Sequence, residues 1–342
     1  MVMHWDAVIG HQDAVQVLKA MLVSGAIPHA LLFTGPSGIG KGLTARIMAA
    51  GILCNAGGTK PCGHCSSCVL YGREAHPDFT LVAPEGATIK IDQIRALQHF
   101  ASLAPAVSPG RLCLIEDAEF MTVQAANSLL KLLEEPPAGF VFILVAGTAK
   151  PLLPTILSRC RNLKFYPLPA ALLEQALVHQ GYSLEAAAVA ARLSGGRMGK
   201  ALTLLAPDGL AQRDMAAGLF ASLESRDMMA VWEQTAKLDS LETKAIITVL
   251  EYFLYLLRDV LLVAGGHNAR LLYNIDLRPQ LDGWAAAWPE GRCVAAMTVV
   301  KNTIRAIGSN ANTRLALEEL LIKLKDLPEK GENHVDSSWG PL

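Results

Sequence analysis

The segment that most restricts how this chain can fold is Gly35-Pro36-Ser37-Gly38-Ile39-Gly40-Lys41-Gly42. It follows a short apolar run, Ala30-Leu31-Leu32-Phe33, and precedes Leu43-Thr44-Ala45-Arg46-Ile47-Met48-Ala49-Ala50, which reads as a helix. An unbroken apolar run of that length reads as a strand buried on both faces. Strand, glycine-rich turn and helix in this order aim a helix N-terminus at an anion. G-x-x-x-x-G-K is the pattern of a phosphate-binding loop: the glycines let backbone N–H groups face the phosphates, and the lysine reaches the terminal ones. The full pattern continues with Ser or Thr, whose hydroxyl holds Mg²⁺; here Gly42 stands in that place. Gly35, Gly38, Gly40, Lys41 and Gly42 are thus candidates for a nucleotide site that has lost a metal ligand. A glycine-rich turn with no ligand is the plain alternative, and the flanking strand and helix argue against it.

A second apolar run, Arg111-Leu112-Cys113-Leu114-Ile115, ends in Glu116-Asp117. A buried strand that delivers acids at its carboxyl edge delivers them where open α/β sheets bind ligands. In an ATPase of this type the first acid helps hold Mg²⁺ and the second activates water, in the order Asp-Glu. Here the order is reversed, and Asp117 is one methylene shorter than the usual base, which compromises its reach to a water. The alternative is a surface acidic pair after a strand. Further on, Thr122 is placed to cap a helix through Ala125–Leu133, which Pro136-Pro137 ends. Phe140–Val145 reads as another buried strand, and Thr148 just beyond it is a candidate contact for a terminal phosphate.

Four of the seven cysteines, Cys54, Cys62, Cys65 and Cys68, follow the spacing C-x7-C-x2-C-x2-C. Two-residue gaps let thiolates converge on one ion, and four thiolates make a closed, structural zinc site. Gly57, Gly58 and Gly63 free the backbone to wrap the metal. Disulfides, an iron–sulfur cluster, and a site in which His64 replaces Cys54 are the alternatives. Cys113, Cys160 and Cys293 read as core packing.

At 342 residues, 51 % hydrophobic and 18 % charged, the chain can bury more than one domain core. A formal charge of −1 gives no support for broad neutralisation of a nucleic-acid backbone. The start, Met1–Asp6, has no basic region ahead of an apolar stretch, so no secretory leader is read there. The most apolar long stretch, Ala245–Ala264, contains Glu251, Arg258 and Asp259, which are costly in a bilayer. A buried helix, no membrane and a cytoplasmic location are expected.

With these residues in view, the chain resembles the bacterial clamp-loader AAA+ proteins of DNA polymerase III over nearly its whole length. The marks are Ile27-Pro28-His29-Ala30, the loop, the four-cysteine module, and Ile91-Asp92-Gln93-Ile94-Arg95. To these add Asn127–Pro137, Ser158-Arg159-Cys160 and Asn310–Glu318. Within the family, the motor subunits of gamma and tau type have Ser or Thr after the loop lysine and Asp-Glu on the second strand. This chain has neither and resembles the delta-prime branch. The resemblance implies a stator in a five-membered ring that opens the sliding clamp and loads it on primed DNA, within the polymerase III holoenzyme. It implies gamma/tau and delta as partners through the collar and AAA+ faces, with the sliding clamp and primer-template DNA reached through the complex. It also implies that Arg159 acts in trans on a neighbour's ATP, where an arginine stabilises charge on the transferred phosphoryl group. A surface arginine near Arg161 and Lys164 is the alternative. The lid arginine of the motor subunits aligns with Gly199, so the chain's own ATP site is degraded at three places, and binding of ATP and Mg²⁺ is doubtful.

The expected organisation is α/β plus all-α. An AAA+ P-loop nucleotide-binding domain spans 1–166 with a zinc module at 54–68. A small helical lid spans 167–207, a helical collar 208–328, and a flexible tail 329–342. Helices in the collar are expected over Leu210–Ser222, Met228–Leu238, Leu241–Ala264 and Val294–Leu324. Two other functions compete with the stator: an active clamp-loader ATPase of gamma type, with water or Thr44 replacing the lost hydroxyl, and an unrelated zinc-containing P-loop protein such as a nucleotide kinase.

Overall fold

The computed structural model describes residues 3–224, 228–309 and 311–327; the 329–342 tail and Asn310 lie outside them. The described residues form two compact units. The first comprises the chain up to Gly181 together with Ser194–Lys200; the second comprises Tyr182–Leu193 and the chain from Ala201 onward.

The first unit is built on a parallel five-stranded sheet in the order β2-β3-β4-β1-β5. The strands are β1 (Ala30–Thr34), β2 (Phe79–Val82), β3 (Arg111–Ile115), β4 (Phe140–Ala146) and β5 (Arg161–Lys164). The central three, β3, β4 and β1, are buried throughout. Their continuous apolar runs follow from helices covering both faces, because successive side chains alternate between two cores. Leu31, Phe33, Leu112, Leu114 and Ile143 pack with residues of α1 (Gln12–Ser24) and α2 (Lys41–Leu53), among them Leu18, Ile47 and Met48. Ala30, Leu32, Cys113, Ile115 and Phe142 pack on the other side, where α4 (Ile91–Ser102) and α5 (Val123–Glu134) supply Ile94, Leu97 and Leu129. Between α2 and β2 lies the short α3 (Ser66–Gly72), which carries part of the cysteine module. Thr122 caps α5 as expected, its side chain accepting from the Ala125 amide at 3.2 Å. The turn α6 (Pro154–Leu157) follows β4 and leads through Arg159 to β5, and α7 (Ala170–His179) closes the unit's main stretch.

β2 and β5 are the strands that hydrophobic patterning misses. They are the sheet edges, and β5 buries only Leu163 of its four residues. An edge strand needs no continuous apolar run.

The second unit is helical: α8 (Leu184–Leu193), most of α9 (Met198–Leu205), α10 (Ala211–Glu224), α11 (Met228–Asp239), α12 (Thr243–Ala264), α13 (Arg278–Ala287), α14 (Glu290–Gly308) and α15 (Thr313–Lys325). The apolar stretch ending at Ala264 is indeed a buried helix: Ile246, Val249, Leu250, Phe253, Leu256, Leu257 and Val260 recur at helical spacing on its covered side. Asp259 on the same helix is fully buried and accepts bonds from the Tyr273 and Asn274 amides and the Asn274 side chain at 2.8–3.1 Å. Phe220 stacks on Trp284 at 4.5 Å and packs against Trp288 and Phe253. One expectation is corrected and one helix is new. Val294–Leu324 is two helices rather than one, because α14 stops at Gly308 and the Asn312 side chain starts α15 by accepting from the Leu315 amide at 3.1 Å. Helix α13, not expected, is short and largely polar, with only Leu281 and Trp284 buried. No helix among the described residues is long and apolar enough to cross a membrane.

Candidate functional site

The loop after β1 leaves the sheet at its carboxyl edge, and α2 begins at Lys41. Gly35, Gly38 and Gly40 have φ of 147°, 80° and 105°. These backbone angles belong to glycine, so the motif's spacing is met by conformation as well as by sequence. Lys41 is buried, and its Nζ donates to the carbonyls of Gly35 at 2.6 Å and Pro36 at 2.8 Å. Burial lowers its pKa, while Glu119 and then Asp117 push it back up.

Around Gly42 the structure brings Glu116 together with a residue the sequence analysis did not name. Glu116, on leaving β3, faces Gly42: a Cβ built on Gly42 would meet Glu116 Oε1 at 3.7 Å. The same Oε1 accepts from Arg46 Nε at 3.1 Å and Nη2 at 2.9 Å. Gly42 and Arg46 are four residues apart on α2, hence on one helix face, and that spacing is the signal that could have revealed the pair. Where a hydroxyl and a carboxylate would share a cation, a guanidinium holds the carboxylate alone. Asp117 is exposed and left-handed at φ 50°, starting a short 3-10 turn. Thr148 is exposed just beyond β4, its hydroxyl accepting from the Lys150 amide at 3.3 Å. Gly199 lies directly on the loop, donating its amide to the Gly38 carbonyl at 2.7 Å. A Cβ at Gly199 would come within 3.1 Å of Gly38 Cα, so a side chain there would press on the loop. Arg197 bonds the Ser194 carbonyl through Nε at 3.0 Å.

Arg159 stands apart from these groups. Its Nη2 pairs with Glu134 Oε1 at 2.7 Å, and its Nη1 donates to the Thr155 carbonyl at 3.0 Å. Its side chain remains 34 % exposed. The acid comes from the last turn of α5 and the carbonyl from α6, so two elements fix the direction of a guanidinium that still faces solvent.

The four cysteines converge: the Sγ atoms of Cys54, Cys62, Cys65 and Cys68 all lie within 4.8 Å of one another, with Cys54–Cys65 and Cys62–Cys68 both at 3.9 Å. A tetrahedron of thiolates around a metal at ~2.3 Å has edges of about 3.8 Å, so the group has the dimensions of a closed four-thiolate site. Amides of Ala56, Cys65 and Cys68 donate to the sulfurs of Cys54, Cys62 and Cys65, each at 3.4 Å. Backbone bonds from His64 and then Cys65 lower the Cys62 thiol to about 6, whereas burial raises Cys54 and pushes Cys68 up to about 12. All four cysteines are free, so no disulfide is present. His64 turns its Nδ1 to the Cys62 carbonyl at 2.9 Å, and the fourth ligand position falls to Cys54. The module is tied to the core through Ser67, which donates to the Leu53 carbonyl at 2.6 Å and meets His76 Nε2 at 2.8 Å. Trp5 Nε1 also reaches the Lys60 carbonyl at 2.9 Å. Cys113 and Cys293 are core residues and Cys160 is half-buried.

Comparison with known proteins sorts the readings. The family described as DNA polymerase III, delta subunit, matches residues 10–169. The DNA polymerase III subunit delta' of Bacillus subtilis strain 168 is 31 % identical over 316 residues, which cover 91 % of this chain and 95 % of that protein. The chain belongs to the delta' family of DNA polymerase III subunits. The delta' subunit of Escherichia coli K12 is 29 % identical over 92 % of the chain and 94 % of its own length. By contrast, the gamma/tau subunit of Mycobacterium tuberculosis H37Rv is 37 % identical over only 47 % of the chain and 28 % of that protein. A solved gamma-subunit-related protein of Thermotoga maritima covers 92 % of this chain and 99 % of its own, at 20 % identity and a TM-score of 0.41. The unrelated-kinase reading is excluded by membership of the delta' family along the chain's length.

Proposed function

We propose that this delta' family member is the stator of a clamp loader, a subunit that takes part in ATP-driven loading of the sliding clamp on primed DNA without turning over ATP itself. The observation that carries the reading is the Arg46–Glu116 pair beside Gly42. It removes both protein ligands expected of Mg²⁺: one is missing from the sequence and the other is engaged. The exposed Asp117 and the Gly199 contact with Gly38 favour the same conclusion. Arg159 would act in trans. A permanently charged, planar guanidinium, held in direction by Glu134 and Thr155 and still open to solvent, suits phosphate oxygens presented by a neighbour. Gamma/tau and delta subunits are the proposed neighbours, met through the helical second unit and the faces of the first. Sliding clamp and primer-template DNA would be reached through the assembly in the cytoplasm. The four thiolates would hold one structural Zn²⁺.

An active ATPase of gamma type is the second reading, since the loop conformation and Lys41 are intact. Steady-state hydrolysis by the isolated chain separates the two. The stator predicts no turnover above background, with Lys41→Ala indistinguishable from the parent. Sustained turnover abolished by Lys41→Ala would establish the second reading instead.

A further inference from the structure

Three carboxylates gather where β3 leaves the sheet: Glu116, Asp117 and Glu119. Glu116 is held by Arg46, and Asp117 is exposed. Glu119 is placed differently. Its Oε1 accepts from the Gly147 amide at 2.6 Å, and its Oε2 is buried with no hydrogen-bond partner among the described residues. A Cβ built on Gly147 would lie 2.7 Å from Glu119 Oε1. Glycine at 147 is therefore what lets the carboxylate press against the end of β4.

Strand register locates this carboxylate relative to the phosphate loop. Thr34 of β1 pairs with Ala146 of β4, so Gly147 stands level with Gly35. Adjacent strands run ~4.8 Å apart. Gly35 supplies one of the two carbonyls that hold Lys41 Nζ. An ammonium has three donors, and its third proton stays available on a lysine for which Glu119 is the foremost charge offsetting burial. In a loaded loop, that lysine charge goes to the terminal phosphates. Here a carboxylate fixed at the end of the neighbouring strand already offsets the burial of that lysine, and a buried carboxylate oxygen without a partner calls for an explanation.

We infer that Glu119 is a built-in anion standing in for the terminal phosphate of a nucleotide, and that it excludes nucleoside triphosphates from the loop. The inference rests on the reading of the chain's own cleft as non-hydrolytic, and it adds selectivity to that reading. A third phosphate would bring its charge against Glu119. A diphosphate, held by the loop amides, would stay farther away. Like charges a few ångströms apart at a partly buried site are worth at least about a factor of ten in affinity.

The test uses Glu119→Gln in the full chain. The amide oxygen can still accept from Gly147 and the side-chain volume is nearly unchanged, so the main change is loss of the charge. Fluorescent ATP and ADP analogues are titrated without Mg²⁺. Glu119→Gln should bind ATP about tenfold or more tighter than the parent and ADP less than about threefold tighter. Asp92→Asn, an exposed carboxylate on α4 paired only with Arg95, should change neither. Independently of any variant, pyrophosphate should raise the melting temperature of the parent chain more than tripolyphosphate does. Unchanged ATP affinity in a normally folded Glu119→Gln, or equal stabilisation by the two polyphosphates, overturns the inference while leaving the non-hydrolytic reading in place. A parent chain that binds and hydrolyses Mg-ATP defeats that reading itself.

Discussion

Gly42→Thr restores the residue type that a metal-binding loop needs, and the structure fixes how far the restoration should go. A Cβ at position 42 meets only Glu116 Oε1 within 4 Å, at an ordinary 3.7 Å, so the variant should fold. Near the start of α2, Thr should improve on Gly by about 0.3–0.5 kcal/mol in helix propensity. Mg²⁺ would then need Glu116, whose Oε1 is engaged by Arg46 at 2.9 Å. Opposite charges about 4 Å apart attract by roughly 4 kcal/mol at an effective dielectric of ~20. Both side chains are partly exposed, 34 % for Arg46 and 25 % for Glu116, and solvent screening reduces the pair to about 1–2 kcal/mol. That is roughly a tenfold handicap on the metal. Gly42→Thr alone should therefore tighten ATP binding by less than about fivefold on adding Mg²⁺. Adding Arg46→Ala should give about tenfold more, and Arg46→Ala alone should give no Mg²⁺ dependence, a non-additive pattern expected of neighbours. Equilibrium titration with a fluorescent ATP analogue, with and without Mg²⁺, reads this directly. A full, strong Mg²⁺ dependence from Gly42→Thr alone would refute the blocking role of Arg46.

Further outcomes follow from the same geometry. Metal analysis should return one zinc per chain; a strong chelator should release it, expose all four thiols and lower the melting temperature, and Cys62→Ser should do the same. Burial lowers the His76 pKa from its ordinary 6.5, with the charge of Asp78 opposing. The neutral ring accepts from the Asp78 amide at 3.0 Å and donates to Ser67. Its stabilising contribution is thus complete above 6.5 and is lost as pH falls from 6.5 toward the depressed folded-state value. Melting temperature against pH should fall across that window in the parent and stay flatter in His76→Gln. Phe220→Ala, which empties the centre of the aromatic cluster formed with Trp284 and Trp288, should cost about 3–5 kcal/mol in denaturant unfolding of the second unit.

Much of the first unit was legible because its signals are local. Leu31–Phe33, Leu112–Ile115 and Phe140–Val145 are apolar runs that only a doubly covered strand requires, the glycine loop sits between two of the elements it needs, and the cysteine spacing already implies convergence. Edge strands were not legible, since Arg161–Lys164 presents three exposed residues and one buried one. The pairs that set the chemistry were hidden by sequence distance. Arg46 reaches Glu116 across 70 positions, Glu119 reaches Gly147 across 28, and Asp78 receives the Ala106, Val107 and Ser108 amides across about 30. In the second unit the apolar sequence revealed α12 and α10 but the reading ran through the stop at Gly308, although Gly308, Ser309 and the Asn312 cap are themselves stop and start signals. Arg159 was singled out through the family resemblance; composition and spacing alone would have left it among the basic residues of its strand.

In the proposed role, this subunit serves ATP turnover in its neighbour and performs none of its own. That role is decided by the DNA- and clamp-stimulated ATPase rate of the reconstituted complex carrying Arg159→Ala, compared with Arg161→Ala. Arginine fingers elsewhere are worth on the order of 10³-fold at their own site; with one site of several affected, the rate of the complex should fall by a smaller factor. Clamp loading should slow with it, while assembly and the melting of the subunit stay unchanged and Arg161→Ala stays near the parent. Equal, undiminished rates for both variants in fully assembled complexes would contradict the account.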